Sequence, residues 1–152
     1  MRVFFFISLL MMSKSVIGQV QNKLEGTWKV IALSDDEMAF DFKEDSASFN
    51  KSANIDTLTA KLMVKPLMSM FGEILYIFEK DGHFSEKHNG EMDGEGNYLI
   101  DSKKSIITLK GKRNGVTFTE KVLFQFKRNY LLLTPFEDRS SPKLTLEKIK
   151  RK

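Results

Sequence analysis

The chain has no cysteine in its 152 residues. This excludes disulfides, thiol catalysis and a lipid-modified N-terminal cysteine, so burial alone must hold the fold. Histidine is nearly as scarce. His83 and His88, five positions apart, point to opposite faces of a strand and make a poor metal pair. No Gly-x-Ser-x-Gly, phosphate loop, zinc-ligand cluster or dinucleotide fingerprint occurs, and the sequence implies no cofactor, no metal and no enzyme. Asp35, Asp36, Glu37, Asp41, Glu44 and Asp45 lack a calcium-loop spacing and read as a solvated stretch. With three prolines, no repeat and no Pro/Gly/Ser-rich linker, one domain is the economical assignment. Charge is nearly balanced, 24 basic against 20 acidic residues, which is no nucleic-acid footprint. The basic groups at 110–113 and 148–152 read as a hairpin tip and a frayed end.

Long apolar runs are also missing after the first residues. Arg2, the apolar run 3–12 broken only by Ser8, and small residues at 13–18 have the layout of a secretory signal peptide, with Val16 and Gly18 preceding a cut before Gln19. Lys14 ends the run too early for a membrane span, which needs roughly 20 apolar residues. The expectation is a signal at 1–18 and a secreted or periplasmic domain at 19–152 with no stable membrane insertion.

What is present is β-pattern. The first strand is Gly26–Ser34, with Trp28, Val30 and Ala32 on one face and Lys29, Ile31 and Leu33 on the other. Residues 35–45 are too charged to be buried and form a loop or a twisted edge. One helical candidate follows: Asn54 or Asp56 caps it, and Ile55, Leu58, Leu62, Met63, Leu67, Met70 and Phe71 recur near helical spacing, with Pro66 kinking or dividing it. Strands are then expected at 73–80, 83–88, 96–101, 105–110, 116–126, 130–134 and 143–149. Asp81-Gly82, Asn89-Gly90 and Asp93-Gly94 are among the turns between them. The fold class is all-β, with eight antiparallel strands in up-and-down order. Closing such a sheet into a barrel removes two edges and buries its greasy face.

Leu24-Glu25-Gly26-Thr27-Trp28-Lys29-Val30 carries the Gly-x-Trp signature of lipocalins, and the order of motifs after it resembles bacterial lipocalin-like domains of the calycin type. Those motifs are the aromatic hairpin Phe78-Glu79-Lys80-Asp81-Gly82-His83-Phe84, the strand Gly96-Asn97-Tyr98 and the closing pair Tyr130-Leu131-Leu132-Leu133 and Leu144-Thr145-Leu146-Glu147-Lys148. The resemblance implies an eight-stranded barrel whose open end takes an apolar small molecule. In lipocalins a basic residue stacks on the signature tryptophan; Arg128, Arg139 and Lys148 are the candidates here. The helix of lipocalins follows the strands, whereas the helical segment here lies between the first and second.

Candidate ligand contacts come from the inward rows. Tyr76, Phe78, Phe84, Tyr98, Phe118 and Phe124 are wall residues or plain core, and Trp28 is a plug at the closed end. Glu120 interrupts the apolar row Val116, Phe118, Val122, Phe124, Phe126. It is either an interior anchor for a ligand head group, needing a partner or a proton, or a rim residue that reaches solvent. His88, in phase with Phe84 and Glu86, is the other interior polar candidate, with a surface position as its alternative. Met63, Met68 and Met70 with Leu67 and Phe71 make an adaptable lid or a fixed cover. Two roles follow: a non-catalytic binder of a small apolar ligand, or an extracytoplasmic interaction or inhibitor module that uses loop 35–54 or the helix on a filled barrel. The sequence names no protein partner.

Overall fold

The computed structural model describes residues 18–50, 58–59, 62, 65–66, 69, 73–137 and 141–150. The expected signal segment up to residue 17, and Ile55, Met63, Leu67, Met68, Met70, Phe71 and Arg139, lie outside them. A short helix α1 (18–24) precedes ten strands: β1 Gly26–Ser34, β2 Met38–Asp41, β3 Ser46–Phe49, β4 Ile74–Phe78, β5 His83–His88, β6 Glu91–Asp101, β7 Ile106–Arg113, β8 Val116–Lys127, β9 Tyr130–Pro135 and β10 Lys143–Lys148. Residues 58, 59, 62, 65, 66 and 69, between β3 and β4, are helical and exposed.

Eight strands form the barrel. β4 to β10 pair in sequence order, β1 pairs with β4 on one side, and β10 closes on β1 on the other. All of these pairs are antiparallel. Every strand of the ring thus has a neighbour on each side, and among the described residues the ring itself leaves no edge to template aggregation. Of the two alternatives for residues 35–45, a loop or a twisted edge, the second holds: residues 35–49 form a hairpin, β2–β3, attached to the far half of β1 through Ala32–Asp41, Leu33–Phe40 and Ser34–Ala39. β1 changes phase to reach it. A bulge between Val30 and Ala32 gives Ile31 no partner on β10, and Leu33, expected outward, is 6% exposed.

Turn chemistry fixes most of the order. Asn89-Gly90 and Asn114-Gly115 are two-residue hairpin turns with φ of 52°, 86°, 50° and 80°, the left-handed pair that Asn-Gly tolerates best. Asp81-Gly82 works differently. Only Gly82 has positive φ, at 89°, within a four-residue loop in which the Asp81 carboxylate accepts a bond from the His83 N–H at 3.0 Å. Asp93, expected in a turn, lies within β6 where Glu86 pairs with Gly94 and Lys87 with Met92.

The barrel floor is dry. Phe84, Ile107, Leu131 and Leu146 are fully buried, as is Leu24 of α1, and Phe78 and Trp28 are 1% and 2% exposed. Phe78 meets Tyr98 edge-on at 5.3 Å, and Phe124 meets Phe126 at 5.7 Å. On the wall, Gly96 and Gly111 face each other across β6 and β7. A Cβ on either would run into the backbone of the opposite strand, so the two strands approach there as only glycine permits.

Trp28 plugs the closed end. Its indole N–H donates to the Leu24 carbonyl at 2.7 Å, the acceptor that a buried tryptophan requires. Lys148 supplies the cation over its ring, with Nζ at 5.2 Å from the centroid and 3.0 Å from the Lys23 carbonyl that it caps. Burial lowers the Lys148 ammonium below its ordinary range. Lys148 thereby ties α1, β1 and β10 together. Replacing it with Met keeps the stem and removes the cation; urea unfolding should show a loss of about 0.5–2 kcal/mol. An unchanged midpoint would mean that the cation does not hold this end.

Candidate functional site

The mouth of the barrel lies at the end opposite Trp28, the end at which the antiparallel pairing places the Asn89-Gly90 and Asn114-Gly115 turns and Pro135 of β9. Alternation along the strands brings four polar side chains into it. Tyr76 comes from β4, Glu86 from β5, Arg113 from the end of β7 and Glu120 from β8. Glu86 is 8% exposed. It does not stand alone: Arg113 donates to its Oε2 from Nε at 3.1 Å and Nη2 at 2.8 Å, and the Tyr76 hydroxyl reaches Oε1 at 3.3 Å. A buried carboxylate is tolerated only with such pairing. The Arg113 guanidinium also stacks on Phe118, 4.6 Å from its centroid.

Glu120 is the looser member. Its carboxylate lies 3.6 Å from Arg113 Nη2, with the Glu120 side chain 39% exposed. Both sequence alternatives therefore hold in part: the residue belongs to the inward row, and it sits near enough to the rim to meet solvent. Beside it is a cavity of about 200 Å³ lined by Tyr76, Leu109, Glu120, Val122, Leu133, Pro135, Ser141, Pro142 and Leu144. Glu120 is the charged residue of that lining.

The cluster is electrically negative, and its members register it. Burial, then the charge of Glu86, pushes the Tyr76 phenol far above its ordinary value. For Arg113, burial works against the charge, but Glu86, Tyr76 and Glu120 outweigh it and hold the guanidinium above its usual range. Tyr76 is thus a neutral donor and Arg113 a permanent cation. The cluster holds two carboxylates against that one cation.

Of the residues expected to touch a ligand, the structure brings Tyr76 and Glu120 to the cavity wall. Phe118 lies next to them beneath Arg113. Phe84 packs against Phe118 at 6.1 Å and is itself fully buried. Phe78, Tyr98 and Phe124 belong to the packed floor, with the Tyr98 hydroxyl donating to the Glu79 carbonyl at 2.6 Å. His88, at the end of β5, is half-buried and outside the cavity lining; among the described residues its buried Nε2 has no hydrogen-bond partner. Glu86 and Arg113 were missed. Glu86 is in phase with Phe84, and Arg113 with Ile107 and Leu109, so alternation alone marked both. The basic run at 110–113 disguised Arg113 as a turn, whereas the turn is Asn114-Gly115. Among the described residues no group of three or more acidic or histidine side chains is placed to hold a metal ion.

No family profile and no curated protein matches the chain. Among solved structures it is similar to a DUF4847 family protein from Bacteroides vulgatus ATCC 8482, with a TM-score of 0.54 and 16% identity over 85% of this chain and 96% of that one. The likeness is one of fold.

Arg113→Met preserves bulk while leaving Glu86 buried and unpaired. We expect a loss of about 2–4 kcal/mol in urea unfolding, somewhat below the cost for a fully enclosed pair because Arg113 meets solvent. Adding Glu86→Gln should recover much of it. A single variant as stable as the wild type would show that the pair does not organise the mouth.

Proposed function

We propose that this protein is a non-catalytic, exported, lipocalin-like binder of a compact small molecule held at the open end of its barrel. The observation that carries the reading is the cavity itself: an apolar pocket with a few convergent polar groups, placed where the strands of a barrel end. Its size changes the ligand expected from the sequence. Drug-sized sites begin near 300 Å³, and the 200 Å³ found here, above a floor packed with Phe78, Phe84, Tyr98 and Phe124, suits a short molecule rather than a long apolar chain. Export rests on the signal-like layout of residues 1–18.

Val122→Phe fills the pocket from its wall. Native mass spectrometry and methyl NMR of the secreted protein should show a small ligand, or acceptance of small apolar fragments, that shifts Leu133 and Leu144 and is lost in the variant. Binding that survives Val122→Phe would move the site elsewhere.

A second reading, an interaction module on a filled barrel, is favoured by the packed floor and by the β2–β3 hairpin. Among the described residues β3 ends the sheet, and the segment carries Asp35, Asp36, Glu37, Asp41, Glu44 and Asp45. Reversing those charges should abolish a partner recovered from the envelope fraction; an unchanged association would remove this reading.

A further inference from the structure

We infer that the open-end cavity selects a compact organic cation, an ammonium group on a short apolar body, and that Glu120 is the anion that receives it. The inference rests on the small-ligand reading above and names the chemistry of that ligand.

Arg113 is committed to Glu86 by two bonds of 3.1 and 2.8 Å. Its approach to Glu120, 3.6 Å, is longer than a charge-assisted hydrogen bond, which runs at about 2.7–2.9 Å. Among the described residues the Glu120 carboxylate accepts no hydrogen bond, although a carboxylate offers about four acceptor sites. One negative charge of the cluster is thus left over, and it belongs to the residue that lines the pocket. The lining contains Glu120 but not Arg113, so a group held in the pocket touches the carboxylate and not the guanidinium.

The remaining walls fit the other half of such a ligand. Leu109, Val122, Leu133 and Leu144 line the pocket with aliphatic surface that takes an apolar body. Because Glu120 is 39% exposed, pairing with a cation requires little further desolvation, the term that usually cancels the gain of a buried pair. An anionic ligand would face that same carboxylate, with no cation among the described residues of the wall.

Benzylamine, benzyl alcohol and benzoate share one apolar body and differ in charge, so they separate the cation from the body. Titrated into the full-length mature protein at neutral pH and followed by methyl NMR, benzylamine should bind about ten- to a hundredfold tighter than benzyl alcohol, the span of a hydrogen bond to a charged group, and benzoate weakest. Glu120→Gln should bring benzylamine to the level of the alcohol, and Glu120→Asp should retain part of the preference. If benzoate or the alcohol binds as well as the amine, or if Glu120→Gln keeps the amine's advantage, the cation inference falls while the small-ligand reading stands. If none of the three shifts the Val122 and Leu133 methyls at millimolar concentration, both fall together.

Discussion

The pairing of β1 with β10 makes this molecule what it is. The register runs from Trp28 opposite Lys148 through Val30 opposite Leu146 to Ser34 opposite Lys143, joining strands from the two ends of the domain. Without it, the sheet has two edges and exposes Leu131, Leu133 and Leu146 on one side. With it, those side chains share one interior with Phe78 and Phe84. Loop closure over so many residues costs chain entropy that only this burial offsets. The lower end of the joint is strengthened by what sits on it: the Trp28 indole bonded to Leu24 and the Lys148 ammonium over its ring.

Closure also decides where polarity is permitted. Each strand sends alternate residues inward along its whole length, so the interior has a depth axis, and the same row can be apolar at the floor and charged at the mouth. β8 runs from Phe126 near the floor through Phe124 and Val122 to Glu120 and Phe118 at the rim. β7 runs from Ile107 through Leu109 to Arg113. Glu86 on β5 is drawn into this upper layer and is held there by a cation and a phenol. The mouth is therefore organised by electrostatics and the floor by packing. The cavity lies at the boundary between them, which is why one wall is aliphatic and one carries Glu120.

Much of this could be read from the chain. The hairpins from β4 onward were legible because turn chemistry is local: Asn89-Gly90 declares itself, as does the alternation of β8, whereas the basic run 110–113 drew the next turn ahead of its true place at Asn114-Gly115. Trp28 was legible as a floor residue and Glu120 as an odd carboxylate in an apolar row. The β2–β3 hairpin was legible only as one of two alternatives, a twisted edge, because Ser46-Ala47-Ser48 lacks β-branched residues and the acidic flank fits a loop equally well. Its strands are held by a neighbour, β1, and not by their own propensity, a case of context overriding intrinsic preference. Leu33 was misplaced because a bulge leaves no trace in composition. Glu86 and Arg113 were hidden for a different reason: they are 27 positions apart in the chain, and only the pairing of β5, β6 and β7 brings them together. The choice of Lys148 over Arg128 and Arg139 likewise required the closed ring.

The most direct test is whether β1 and β10 are neighbours in solution. Cross-strand nuclear Overhauser contacts between the backbones of Val30 and Leu146, together with slow amide exchange on both strands, are expected of the closed barrel. Absent contacts with rapid exchange along β1 and β10, as for two free edges, would contradict it and with it the shared interior on which the cavity depends.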